Sequence, residues 1–236
     1  MVVPAFNEER LLARSLAQIG RAAGAFQTRG WTTELIVCDN NSTDKTAEIA
    51  RAAGATVVFE PVNQISRARN RGAAAATGDW LLFVDADSSP GAELFADAAE
   101  AIESGQCLAG GATVKMEGRH PMASAVARIW NCASRVLKLP AGSFIFCDAA
   151  AFRKIGGFSE ELFAGEELDL GKRLNALARG AGKQIVILRR HPLLTSARKV
   201  QLYSTSELLR VFFRAAIDRR ALASREVCHL WYDGRR

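Results

Sequence analysis

Asp85 and Asp87 follow the run Trp80-Leu81-Leu82-Phe83-Val84 and are separated only by Ala86. Five apolar or aromatic residues in succession read as a buried strand. If the extended form persisted through Ala86, both carboxylates would share one side of the chain. Acids at the carboxyl end of a buried strand lie where open α/β sheets bind ligands. Hard cations such as Mg²⁺ take carboxylate oxygens together with substrate phosphates. The same residues also suit a simple turn, with Ser89 capping a helix and Pro90 in its first position. A second acidic group, Glu166-Glu167-Leu168-Asp169, opens a helix after Gly165. A helix start favours acids through its dipole, with or without chemistry.

The elements that must position these acids alternate. Met1–Val3 reads as a short strand, Leu11 to Ile19 as helical, Glu34–Cys38 as a strand, and Lys45 to Ala53 as a helix. The polar cluster Asp39-Asn40-Asn41-Ser42-Thr43-Asp44 supplies turn and N-cap chemistry between the last two. Thr56–Phe59 is a third strand and 65–77 a helix, with the Trp80 strand fourth. This rhythm predicts a parallel, Rossmann-like sheet flanked by helices. After Pro90 the spacing predicts a helix over 91–104, an edge or antiparallel strand at Leu108–Val114, and a helix over 122–138. The apolar positions of that helix include Met122, Val126, Ile129, Trp130 and Val136. A strand at Gly142–Cys147, a short helix, the helix from Gly165 to about Arg179 and a strand at Ile185–Leu188 follow. Ser204 and Glu207 have capping-box spacing for a final helix. Its apolar stripe is Leu208, Leu209, Phe212, Phe213, Ala216 and Ile217, with Arg210, Arg214, Arg219 and Arg220 filling much of the remainder. It reads either as packed on the domain or as lying on anionic lipid.

The chain has 236 residues and a formal charge of +6, a length suited to one domain or two closely packed lobes. The charge is uneven: residues 1–178 carry −3, whereas 179–236 carry 13 Lys/Arg against four Asp/Glu, which is +9. A basic tail points to phosphates or an anionic membrane surface; no nucleic-acid-binding motif accompanies it. No run approaches the ~18 residues of a membrane span, and the amino terminus lacks the pattern of a signal peptide. Cys38, Cys107, Cys132, Cys147 and Cys228 show no paired spacing. They read as reduced and mostly buried residues of a cytoplasmic protein.

Four stretches, in order, resemble glycosyltransferase family 2: Val3-Pro4-Ala5-Phe6-Asn7-Glu8-Glu9, Asp39 to Asp44, Asp85-Ala86-Asp87, and Gly165 to Leu170. Arg67-Ala68-Arg69-Asn70-Arg71-Gly72 and Gly156-Gly157-Phe158 match as well, so the resemblance covers roughly residues 1–190. It implies an α/β protein of GT-A fold over residues 1–200, followed by a basic tail at 201–236. The fold would comprise a nucleotide-sugar-binding half at 1–88 and an acceptor half with a smaller mixed sheet at 89–200. The implied reaction is metal-dependent, inverting transfer of one sugar from a nucleotide-diphosphate donor, UDP being the commonest, to a hydroxyl on a lipid, polysaccharide or small molecule. Pro4, Ala5, Asn7, Glu8 and Asp39 would line the nucleoside pocket, with Arg69 close to the nucleotide. Asp85 would lie near ribose and metal, and Asp87 on the Mg²⁺ or Mn²⁺, which stabilises the leaving diphosphate as a Lewis acid. Arg198 and Lys199 would contact the diphosphate, and His191 the metal or diphosphate.

Where the family usually carries Glu-Asp, this chain has Glu166-Glu167. Glu167 then aligns with the catalytic base, one carbon longer than the common aspartate, and Asp169 is the second candidate. The first strand is shorter than the family's, and the Q-x-x-R-W motif of processive synthases is absent, which favours single-sugar transfer. Two other readings compete. A phosphatase of the haloacid dehalogenase type would use Asp85 as nucleophile, but that motif ends a first core strand and here three strands precede it. A non-catalytic nucleotide-sugar or membrane-binding module is the other.

Overall fold

The computed structural model describes residues 1–118, 121–196 and 222–228. Strands β1 (Val2–Ala5), β2 (Ile36–Asp39), β3 (Thr56–Phe59) and β4 (Trp80–Val84) are parallel, in the spatial order β3-β2-β1-β4. Helices α1 (Leu12–Gln27), α2 (Thr46–Ala52) and α3 (Ile65–Ala75) make the crossovers. The β4 run is continuously apolar because both of its faces are covered. Leu82 and Val84 enter a core with Leu12, Leu16, Ile19, Leu94 and Phe95, while Leu81 and Phe83 enter another with Ile36, Phe152, Phe158, Leu170 and Leu174. At the sheet edge β3 is less covered, and Phe59 is exposed.

The second half adds β5 (Ser88–Ser89), α4 (Ala92–Glu103), β6 (Cys107–Met116), α5 (Pro121–Leu137), β7 (Phe144–Asp148), α6 (Ala149–Lys154), α7 (Glu166–Gly180) and β8 (Gln184–Thr195). Its strands continue the first half as one eight-stranded sheet, β3-β2-β1-β4-β7-β6-β8-β5. β7 runs antiparallel to β4 and β6. β6 is not an edge strand: it lies between β7 and β8, parallel to β8. Gly110 permits this, since a Cβ there would come within 2.4 Å of the Phe146 ring and 2.5 Å of the Val186 carbonyl.

β8 is longer than the apolar run Ile185–Leu188. Ala112 pairs with Leu188 and Val114 with Leu193, so the stretch Arg189–Pro192 bulges out before the ladder resumes to Thr195. Exposed Arg189, Arg190 and His191 hide this continuation from a reading of hydropathy. His191 and Thr195 therefore belong to the strand.

Only three residues separate β4 from β5, a contour of at most ~15 Å. Across a flat sheet the four intervening strand spacings would place them ~19 Å apart. The sheet is accordingly curled, and Asp85-Ala86-Asp87 forms the strap that brings its last strand back toward β4. Two further expectations change. Ser89 pairs with Leu194 and does not cap α4, whose N-cap is Gly91. On α5 the buried positions are Ala123, Ala127 and Ser134, whereas Val126, Ile129 and Val136 face outward. The proposed final helix, residues 204–220, lies outside the described residues.

Cys38, Cys107, Cys147 and Cys228 are buried and Cys132 is exposed. Burial pushes the Cys38 thiol up to about 12 and those of Cys107 and Cys228 to about 11, so they stay protonated.

Candidate active site

The loops after β1 and β2 are stitched to each other at the carboxyl ends of the strands. Asn7 adopts φ +51°, a conformation that asparagine tolerates. Its backbone N–H donates to Ser42 Oγ at 3.0 Å, and its Oδ1 accepts from the Thr43 N–H at 2.8 Å. The Glu8 N–H donates to Thr46 Oγ1 and the Glu9 N–H to Asp44 Oδ2. Pro4 and Ala5 are buried within β1, and the Ala5 carbonyl accepts from the Asn40 N–H. Asp39 is buried and accepts from the Ser42 N–H at 3.0 Å. It shapes the turn after β2, while Asp44 takes the Thr46 N–H at the start of α2.

α3 fastens these loops to the second half. Asn40 accepts from the Gln64 N–H, and Gln64 Nε2 donates to the carbonyls of Glu160 and Leu162. Asn70 exchanges two hydrogen bonds with the Phe158 backbone. Gly157, at φ +70°, makes room for them: a Cβ there would meet Asn70 Oδ1 at 2.6 Å.

Arg69 lies at the centre, 1% exposed. Its Nη1 donates to Glu166 Oε1 at 2.7 Å; its Nη2 donates to Asp85 Oδ1 and the Gly142 carbonyl, both at 2.9 Å. Its guanidinium lies over the Phe158 ring, 5.1 Å from the centroid. Burial alone would lower its pKa, but the charges of Asp85, Glu166 and Glu167 hold it above the ordinary arginine value. Nε is buried without a hydrogen-bond partner.

Asp85 and Asp87 do not continue the strand. The Ser88 N–H donates to the Asp85 carbonyl, closing a turn over Ala86 and Asp87, and the Asp85 N–H donates to the Ser143 carbonyl. Both side chains are half-buried at the carboxyl end of β4. Among the described residues no cluster of three or more His, Cys, Asp or Glu side chains is gathered for a metal. Two carboxylates suit Mg²⁺ or Mn²⁺ when substrate phosphates and water complete the shell.

At the start of α7 the three acids have different surroundings. Glu166 is buried on Arg69. Asp169 pairs with Arg173 at 2.6 Å, one helical turn on. Glu167 is half-buried beside Gly142, where a Cβ would lie 3.6 Å from its carboxyl carbon and 3.3 Å from Arg69 Nη2. Burial, then the charge of Glu166, push Glu167 up to about 8, against the pull of Arg69. Of the residues singled out in the sequence, Arg69, Asp85 and Glu167 are brought together. Asp169 is turned to Arg173 instead. His191 is not brought to them: its Nδ1 lies 3.2 Å from Asp97 Oδ2 on α4, and the β5–β8 register carries it away from Asp87. Arg198 and Lys199 lie outside the described residues. The sequence assigns no role to Glu166, Gly142, Gln64 or Asn70, although Glu166 and Asn70 lie within the matched motifs. The acid adjoining Glu167 and the amide side chains flanking Arg69 on one helix were the available signals.

The sequence profile of glycosyl transferase family 2 matches residues 1–155. A TPR repeat-containing protein of Synechococcus elongatus is 36% identical over 104 residues, 44% of this chain and 24% of that protein. RfbJ of Shigella flexneri is 33% identical over 89 residues, 38% of this chain and 64% of that protein. The matches thus span less than two thirds of these relatives. Among solved structures, the Pyrobaculum calidifontis mannosyltransferase PcManGT, in complex with GDP-Man and Mn²⁺, aligns with a TM-score of 0.66 at 17% identity, covering 97% of this chain and 67% of that one. Glucosyl-3-phosphoglycerate synthase of Mycobacterium tuberculosis, in complex with Mg²⁺ and UDP, aligns at 0.61 and 20%, covering 97% and 78%. At such identities the likeness establishes the fold, which is GT-A.

Proposed function

The chain belongs to glycosyl transferase family 2, and from that premise we propose that it transfers one sugar from a nucleoside-diphosphate donor, UDP favoured, to a hydroxyl acceptor with inversion. One observation carries the reading. Arg69 holds Asp85, at the donor end of the parallel strands, and Glu166, next to the candidate base Glu167, in a single charge network.

In this reading the stitched loops at Pro4 to Glu8 and Asp39 receive the nucleoside. Asp85 and Asp87 would hold Mg²⁺ or Mn²⁺, which supplies Lewis-acid stabilisation of the departing diphosphate. The neighbouring structures with GDP-Man and Mn²⁺, and with UDP and Mg²⁺, support this choice of ligands. Arg198 and Lys199 join the diphosphate contacts. Glu167 takes the acceptor's proton as the hydroxyl attacks opposite the leaving group; a carboxyl poised near neutrality suits a general base. Asp169, paired with Arg173, is the second candidate. Arg69 positions the acids and offsets part of their charge.

The domain limits at 1–200 and 201–236, a cytoplasmic location and a peripheral contact of the basic tail with anionic membrane belong to the same proposal. Among the described residues no helix is long and apolar enough to cross a membrane. A thermal-shift screen of nucleotide sugars with and without Mn²⁺ or Mg²⁺ tests the donor reading. A saturating donor at a hundredfold excess over Kd stabilises by about 2.7 kcal/mol. No shift with any nucleotide sugar in either metal would remove it.

A further inference from the structure

The outward face of α5 is apolar where a surface helix ordinarily carries polar side chains. Val126, Ile129, Val136 and Leu137 are 50%, 71%, 76% and 60% exposed. At about 100° per residue they form one stripe, and Arg128 and Arg135 run together along its flank. Both arginines are exposed, and Lys138 follows at the end of the helix. Pro121–Leu137 contains no Asp or Glu. The core side of the helix is already filled by Ala123, Ala127, Ser134 and half-buried Trp130. The exposed stripe is therefore not needed to fasten α5 to the sheet.

We propose that this face of α5 lies on an anionic lipid surface. An apolar stripe with cations along one side and no acid on the helix matches the interfacial helix pattern, with side chains entering the acyl boundary and guanidinium groups meeting the headgroups. The charge argues against a second copy of the chain as occupant. A two-fold contact through this stripe would set Arg128 and Arg135 against the same cations with no acid on the helix to answer them. α5 ends at Leu137, five residues before Gly142, whose carbonyl accepts from Arg69, so the docked face adjoins the candidate site. The proposal is separate from the C-terminal tail and does not depend on sugar transfer.

Flotation of the full chain with phosphatidylcholine vesicles, with and without phosphatidylglycerol, tests it at low salt. The chain should float with the anionic vesicles and not with the neutral ones. Ile129→Ser with Val136→Ser, and separately Arg128→Gln with Arg135→Gln, should each lower partitioning by roughly tenfold or more while leaving Tm unchanged. The companion variant Arg210→Gln with Arg214→Gln reports the contribution of the tail. The proposal is overturned if the intact chain does not bind anionic vesicles, or if both α5 variants bind as well as the parent. A loss of several degrees in Tm from Ile129→Ser with Val136→Ser, without loss of vesicle binding, would show that the chain itself covers the stripe. A concentration-dependent dimer abolished by the same variant, with vesicle binding intact, would assign the face to a second copy.

Discussion

Arg69 on α3 donates from Nη2 to Asp85 Oδ1 at 2.9 Å, tying the carboxyl end of β4 to the helix that precedes it in sequence. Its other terminal nitrogen reaches Glu166, 97 positions along the chain. Two acids and a carbonyl thus share one buried cation, and the planar fork of a guanidinium suits that geometry. Arg69→Met should destabilise the fold by about 3–5 kcal/mol, because it strands buried carboxylates without a partner. Arg69→Lys should also be destabilising, since a point charge cannot span all three acceptors. Urea unfolding measures both, and a lysine variant as stable as the parent would contradict the bridging role.

The Asp85–Asp87 turn leads to a prediction about metal. Asp87 is half-buried at the turn, so replacing it should disturb packing little. Asp87→Ala should still fold and should lose the part of nucleotide-sugar binding that depends on Mn²⁺ or Mg²⁺. Titration calorimetry with and without metal separates the two, and equal metal-dependent binding by parent and variant would remove Asp87 from that role.

The sheet edges and the site differ in how far the sequence announces them. β3 and β4 coincide with the runs Thr56–Phe59 and Trp80–Val84, because apolar continuity is what burial on two faces requires. β8 extends seven residues beyond Leu188 through a bulge of arginines, a histidine and a proline, where hydropathy carries no strand signal. The outward stripe of α5 has core-like spacing, and periodicity alone cannot say which face of a helix meets the core. Asp85 and Glu167 are legible as acids at element ends. Their connection through Arg69 to Glu166 is a tertiary contact between distant segments, and no local pattern encodes it.

Glu167 should make stability depend on pH in an identifiable direction. Its carboxyl holds a proton more tightly when folded, with a pKa raised from 4.5 to about 8, chiefly by burial. A raised acid pKa means that the folded state binds the extra proton between those values. The associated stability is therefore fully present below pH 4.5 and is lost as pH rises through 8. Without metal or nucleotide, Glu167→Gln should match the parent's melting temperature near pH 4.5 and exceed it at pH 8. Each kcal/mol corresponds to about 2–4 °C for a chain of this size. A difference that stays constant over this range would mean that the carboxyl is not shifted.

The choice between Glu167 and Asp169 is the sharpest test of the proposed chemistry. Asp169 is committed to Arg173 at 2.6 Å, and Arg173 Nη1 in turn donates to the Ile155 carbonyl at 2.7 Å, so this acid braces α7 against the turn after α6. The Asp169 carboxylate is already taken up by the guanidinium of Arg173 and is not free for a substrate contact while the pair is closed. Glu167 has the opposite surroundings: burial and Glu166 both raise its proton affinity, while Arg69 keeps it from rising further. Glu167→Gln should leave donor and metal affinity unchanged and lower turnover by about 10²–10⁴, the usual scale for losing a general base. Asp169→Asn should lower melting temperature more than turnover. The comparison requires kinetics at saturating donor, with both variants checked for folding. An inactive but folded Asp169→Asn beside a nearly normal Glu167→Gln would transfer the role of base to Asp169 and would require the Asp169–Arg173 pair to open during the reaction.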